Sequence, residues 1–281
     1  MRETGLTQEV YLLLNELIAD RYGVEFPEHR KEILEARLRP RVETLHLPGF
    51  WDYYLHVQAD DHLQNGERQQ LAELVTNNET FFFRESRQLE CFLAEAAPRL
   101  QPAGGTLRVL SAGCSSGEEP YTLGILSGQG APGRRAPGSV PLAIDAFDID
   151  AGRIATARRA EYGHNSLRQL SPEQLETFFQ TIGPERWTLR PEHRADIRFA
   201  WGNIVEPSTF AGGGLYDAVF CRNVLIYFSA PALLRAVASF ADVLRPGGLL
   251  FLGASESIIG LSDRFETVRL PATIAYRKAS P

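Results

Sequence analysis

Cysteine is scarce in this chain: three among 281 residues, Cys91, Cys114 and Cys221, scattered and odd in number. A disulfide framework is therefore not expected, and a reducing cytoplasm is the natural setting. No apolar run reaches the ~18–20 residues needed to span a bilayer, which argues against membrane insertion. The opening MRETGLTQEV lacks the apolar core of a secretory signal. The six histidines form no H-E-x-x-H pattern and no C-x-x-C occurs, so no metal is expected. A net charge of −6 excludes a broadly basic surface and disfavours nucleic acid as a partner. Two phosphate-binding patterns are missing as well: neither G-x-G-x-x-G nor a glycine loop ending G-K-S/T is present.

What is present divides in two. Residues 1 to about 90 read as a small helical domain. Val10, Leu13, Leu14, Leu17 and Ile18 have helical spacing, and further helices are predicted over 27–39, 51–57 and 67–75, with Pro40 ending or kinking the second. A helix over 87–100 follows. From residue 107 strands and helices alternate: strands at 107–112, 142–147, 196–200, 216–221 and 247–253, helices at 119–127, 150–159, 172–179 and 230–244. That alternation predicts an α/β, doubly wound, mostly parallel sheet over 91–281. A closing hairpin, 265–269 and 273–277, brings in one antiparallel strand. The Gly/Pro-rich stretch 127–141 reads as a mobile loop, and 183–199, with Pro191 in its middle, as a small β-subdomain.

The run RVLSAGCSSGEEPYTLGIL, 108–126, is a buried strand, a Gly/Ser turn and a helix entrance. Gly113 and Gly117 let the backbone turn and approach a ligand. Ser115 stands where a dinucleotide loop has its second glycine, and Glu118 and Glu119 at the helix start would repel a pyrophosphate. A ligand with a cationic amino group and ribose hydroxyls suits this turn better, and S-adenosylmethionine is such a ligand; a plain turn with acidic capping is the alternative. The second strand ends Phe147-Asp148-Ile149-Asp150. Asp148 sits where an open sheet binds a ribose diol, and Asp150 caps the next helix. The fourth strand delivers Arg222 and Asn223 beyond its carboxyl end, followed by Tyr227. Thr76–Glu85, TNNETFFFRE, has three consecutive aromatics that cannot share one helix face and reads as a segment lining a cleft.

These four motifs in this order and spacing, Asn78–Arg84, SAGCSSGEEPY, FDID and FCRNVLIYF, resemble the CheR family of chemotaxis receptor methyltransferases over nearly the whole chain. The resemblance implies a class I S-adenosylmethionine methyltransferase (Rossmann-like) sheet with a small β-subdomain, behind an all-α N-terminal domain that recognises substrate and lids the cofactor cleft. It implies methyl transfer to glutamate side chains on the cytoplasmic helices of chemoreceptors, with S-adenosylhomocysteine as product, by a cytoplasmic monomer recruited to membrane receptor arrays. It places Asn78, Thr80, Arg84, Gly113, Glu119, Asp148, Asn203, Ile204, Arg222 and Asn223 on the cofactor, with Asp148 at the ribose and Asn203 and Ile204 beside the adenine. Arg84 and Tyr227 fall nearest the transferred methyl group.

In helical projection Arg30, Arg37 and Arg41 lie within about 40° of one another, a basic stripe suited to an acidic receptor helix; a solvated face with intrahelical pairs is the other reading. In some family members the β-subdomain grips a receptor tail, and 183–199 is short for that task. Two other functions compete: methylation of another protein, and a non-catalytic cofactor-binding signalling module. Nucleic-acid methylation is disfavoured, because Arg222-Asn223-Val224-Leu225 stands in place of the Asn/Asp-Pro-Pro-aromatic motif.

Overall fold

The computed structural model describes residues 5–63, 66–101, 105–128, 140–206, 209 and 215–280. Four helices form the first layer: Gln8–Tyr22 (α1), Lys31–Thr44 (α2), Phe50–Leu63 (α3) and Glu67–Val75 (α4). The Thr7 hydroxyl caps α1 by accepting from Val10 N, and Gly23 ends it in the left-handed region at φ 82°. Their shared core holds Leu14, Ile18, Leu34, Leu38, Tyr53, Val57 and Leu71, all essentially fully buried. Pro40 corrects the expected helix end. It sits inside α2, because Leu34, Leu38 and Val42 carry the buried stripe across it, and packing holds the helix despite one lost hydrogen bond.

Ser86–Cys91 (α5) continues through a π turn, Phe92–Ala96, into Ala97–Leu100 (α6). The α/β layer then runs Leu107–Ala112 (β1), Glu118–Leu126 (α7), Leu142–Asp148 (β2), Ala151–Arg159 (α8), Glu161–Gly163 (β3), His164–Leu167 (α9), Pro172–Phe178 (α10), Phe179–Gly183 (β4), Arg186–Leu189 (β5), Ile197–Trp201 (β6), Tyr216–Cys221 (β7), Ala230–Val243 (α11), Leu244–Leu252 (β8), Phe265–Leu270 (β9) and Thr273–Lys278 (β10). Among the described residues the main sheet has seven strands in the order β6-β2-β1-β7-β8-β10-β9. The pairs from β6 to β8 are parallel, and β10 runs antiparallel between β8 and β9. All six residues of β7 are buried, as a central strand covered on both faces requires. On one face Phe92 meets the stacked rings of Phe220 and Phe251 edge-on; on the other, Val237 and Phe240 of α11 pack against the sheet.

The small sheet differs from expectation. It consists of β3, β5 and β4 in that order, so it spans 161–189 and shares only β5 and the Gly183 corner with the expected 183–199. β6, expected over 196–200 as a strand of the main sheet, is the edge of that sheet and pairs with β2. β3 has only three residues and pairs across more than twenty to β5, so no local pattern announces it. The Gly/Pro stretch expected as a loop lies, from 129 to 139, outside the described residues.

Candidate active site

Chain reversal after β1 and β2 builds the floor of a cleft. Gly113 N and Cys114 N both donate to Phe147 O, which ties the Gly/Ser turn to the end of β2. Gly113 has φ 79°, and a Cβ there would lie 2.6 Å from a Val224 methyl, so only glycine fits. Ser115, in the place of the missing glycine, adopts φ 47° and donates its N–H to Asp148 Oδ2 at 2.7 Å. Asp150 N donates to the other Asp148 oxygen at 2.9 Å. Asp150 caps α8 as expected, accepting from Arg153 N, and also receives the Asn78 amide at 2.6 Å.

Glu119, in the first turn of α7, accepts from Ser111 Oγ at 2.7 Å and pairs with Arg222 Nη1 at 3.0 Å. The Arg222 side chain is only 3% exposed. It also reaches Arg84 O at 2.8 Å and Glu85 Oε2 at 3.3 Å, and its Nε is buried without a partner among the described residues. Arg222 thus offsets the acidic helix entrance from across the cleft. Glu118 is more than a helix-start carboxylate: it is fully buried, it accepts from the Ser116 and Ser166 hydroxyls, and burial raises its pKa.

The helical domain supplies the opposite wall. Tyr227, in the single 3₁₀ turn Leu225–Tyr227 after β7, accepts at its carbonyl from Glu25 N and at its hydroxyl from the Asn77 amide, 2.6 Å away. Arg84 donates to Glu79 O at 2.8 Å and lies over the Phe81 ring, which Arg168 of the subdomain covers at 3.9 Å. The three phenylalanines separate: Phe81 faces the cleft, Phe82 is buried edge-on between Tyr162 and Phe179, and Phe83 stacks on Phe178.

One open cleft between the helical and sheet layers results. It gathers Asn78, Thr80, Arg84, Gly113, Glu119, Asp148, Asn203, Ile204, Arg222, Asn223 and Tyr227 on its lining. Asn203 is there with its side chain already engaged: its Nδ2 donates to Arg21 O at 2.7 Å and its Oδ1 accepts from Val205 N. It ties the end of α1 to the sheet, and its backbone is engaged as well: the N–H donates to Thr209 Oγ1 at 2.9 Å and the carbonyl accepts from Glu206 N at 3.0 Å. Sequence reasoning missed Tyr22 and Val24, which reach the lining from the helical domain and carry no motif, and Glu85, whose place directly after Arg84 was a usable signal.

The basic stripe needs correction. Arg37 spends its guanidinium on Leu74 O, Val75 O and Thr76 O, closing the end of α4. Arg41 forms a two-pronged pair with Glu67, which is 1% exposed and also receives the Tyr53 hydroxyl at 2.9 Å. Of the three only Arg30 is fully on the surface. The projection found the right angular grouping, but half of that face looks toward α4.

A sheet with one reversed strand next to its edge, a glycine turn after β1 and an acid ending β2 define a class I S-adenosylmethionine-dependent methyltransferase. The chain belongs to the CheR methyltransferase family: the family's all-alpha domain matches residues 9–76 and its SAM binding domain residues 78–274. It is 32% identical to chemotaxis protein methyltransferase 1 of Pseudomonas aeruginosa, over 91% of this chain and 92% of that one. It is 37% identical to the chemotaxis protein methyltransferase of Klebsiella aerogenes, over 90% and 84%, and 33% identical to that of Escherichia coli K12, over 98% and 93%.

The cofactor is S-adenosylmethionine, and the cleft fits it. Asp148 uses two of its roughly four acceptor positions on backbone N–H groups, which leaves capacity for a ribose diol. The unpartnered Nε of buried Arg222 is a donor in want of an acceptor. Burial pushes the Asp148 pKa up to about 6 from 3.8, with the backbone N–H groups of Asp150, Ser115 and Ile149 opposing the shift. A raised carboxylate pKa means the folded chain holds the proton more tightly than the unfolded one. That stability is full below 3.8 and is lost as pH rises through about 6. Ligand binding is expected to run the other way, because a carboxylate placed to hold a ribose diol accepts from both hydroxyls only when ionised. Affinity for S-adenosylhomocysteine is expected to fall about tenfold between about pH 7 and about pH 5. Titration calorimetry checks this, and Asp148→Asn should bind weakly with a flat profile; a wild-type profile flat over the same range contradicts it.

Proposed function

We propose that this protein transfers a methyl group to glutamate carboxylates on the cytoplasmic helices of chemoreceptors, forming methyl esters for sensory adaptation. The observation that carries the reading is the convergence on one cleft of the Asp148 and Gly113 cofactor side with Arg84 and Tyr227 from two other segments. The relatives' names, chemotaxis protein methyltransferase, support the pathway.

The cofactor supplies an activated methyl group on a sulfonium. The protein's task is then placement. A glutamate has an unperturbed pKa of ~4.3, so at pH 7 well under ~1% is protonated and a general base has almost nothing to remove. Positioning alone can contribute roughly 7–11 kcal/mol when the attack geometry is held. Arg84 and Tyr227 orient the acceptor oxygen, Arg84 by charge-assisted hydrogen bonding and Tyr227 by its hydroxyl. The helical domain and the rim residues shed water from the carboxylate without neutralising it. In this reading residues 1–90 bear on the receptor helix, with Arg30 the surface member of the former stripe, while Asn78, Thr80, Glu119, Asp148, Ile204, Arg222 and Asn223 hold the cofactor.

The test is radiolabelled methyl transfer to a purified receptor signalling domain, with base-lability of the product. Base-labile label in the receptor supports the glutamate ester. Label that resists base points to another acceptor group, and cofactor binding without transfer to a range of receptors points to a signalling module. Arg84→Ala is expected to lower kcat by about 10²-fold or more and Tyr227→Phe by about tenfold, with S-adenosylhomocysteine affinity changed less than kcat. Full turnover in both variants at saturating cofactor would remove them from the reaction.

A further inference from the structure

Glu256 lies beyond the end of β8, outside all four motifs, yet its carboxylate gathers four backbone N–H groups. Oε2 accepts from Asn223 N at 2.8 Å and Gly253 N at 2.7 Å. Oε1 accepts from Val224 N at 2.8 Å and Ile226 N at 3.2 Å. Its own N–H closes the turn onto Gly253 O at 3.0 Å. Three of the four donors belong to one stretch, 223–226, between the buried Arg222 and Tyr227. That stretch is not a turn the chain adopts unaided. Asn223 has φ 60°, a left-handed conformation that costs a non-glycine residue free energy unless its surroundings enforce it. The N–H groups of 223, 224 and 226 converge as an anion-binding concavity does, and the anion is this protein's own side chain. Gly253 completes the fit. A Cβ there would lie 2.7 Å from Asn223 Nδ2, 2.8 Å from Asn223 N and 2.9 Å from Glu256 Oε2.

We propose that Glu256 is the positioning residue of the site: its carboxylate sets the turn that holds Asn223 on the cofactor side of the cleft and Tyr227 on the acceptor side. The inference rests on the functional reading above for the roles of those two residues. Glu256 acts through the backbone, so its removal loosens both at once. Packing against the core does not account for it, since Glu256 is only partly buried and its carboxylate is bound by N–H groups.

The test compares the full-length wild type with Glu256→Gln and Glu256→Ala. Glutamine keeps the volume but turns an NH₂ group toward two of the four donors. The expected result for Glu256→Gln is a melting temperature within a few degrees of wild type, faster amide hydrogen exchange confined to 221–228 and Gly253, and S-adenosylhomocysteine affinity at least tenfold weaker. In Glu256→Ala, acetate but not chloride at equal ionic strength should recover affinity several-fold, because acetate can occupy the vacated anion position. Unchanged exchange over 221–228 in Glu256→Gln, exchange raised equally across the sheet, or unchanged affinity overturns the proposal. Exchange and product binding need no methyl acceptor. If the wild type fails to methylate receptors, the receptor reading fails while these readouts still decide the role of Glu256.

Discussion

Arg222→Met is expected to lower folding stability by about 3–5 kcal/mol, the cost of leaving one side of a buried ion pair uncompensated. At this chain length that is a fall in melting temperature of roughly 10 °C. The reason is the company Arg222 keeps. It stands between Glu119 and Glu85 with 3% of its side chain exposed, and Glu119 is held in place from the other side by Ser111. Without the guanidinium, two carboxylates face one cleft and the backbone carbonyl of Arg84 loses its donor. The segment bearing Arg84 should loosen and cofactor affinity should collapse with it. The double variant Arg222→Met with Glu119→Gln should lose less than the sum of the two single losses, because the second change removes the charge the first left stranded. Thermal unfolding and calorimetry on the three variants measure both quantities. Additive losses, or an Arg222→Met protein that melts with the wild type, would show that the guanidinium is not a structural charge.

Phe82→Ala is expected to cost a similar amount, about 3–5 kcal/mol, for a different reason: a large ring removed from a well-packed site leaves a cavity. Phe82 is fully buried against Tyr162 and Phe179, its N–H donates to Ser166 O, and its neighbour Phe83 donates its N–H to the Thr122 hydroxyl. The ring anchors the Asn78–Arg84 segment to the small sheet. Its loss should therefore lower S-adenosylhomocysteine affinity by tenfold or more although Phe82 does not line the cleft, and Phe82→Leu should recover most of both effects. Calorimetry and thermal unfolding again give the readout. A destabilised Phe82→Ala protein with wild-type affinity would uncouple the subdomain from the site.

The parts of this molecule that could be read along the chain share a property: the signal and the structure lie within a few residues of each other. β1 and β7 were readable as short apolar runs because a central strand buries both faces. The left-handed backbone at Gly113 and Gly117, and the cap by Asp150, are local requirements met by local residues. Asp148 was found by its place at a strand end, and the structure adds why the loop tolerates Ser115: the carboxylate binds that residue's N–H. The readings that failed depend on distant partners. β3 is a strand only because β5 lies beside it. Arg37 and Arg41 shared a helical face as expected, but the neighbour covering part of that face is α4, whose Glu67 and chain end claim both side chains.

By itself the sequence determined the order of the main-sheet strands along the chain, the residue types at their ends and the ligand class those ends admit, since these follow from periodicity, backbone preference and charge over short spans. Only the tertiary structure decided which charges are spent inside. Arg222 faces Glu119 across 103 positions of chain and Glu256 meets Asn223 across 33, and in both cases the partner is set by how β1, β7 and β8 lie side by side. Burial makes the difference physical. A carboxylate in water needs no partner, whereas one drawn into a cleft must find its donors wherever the fold has brought them.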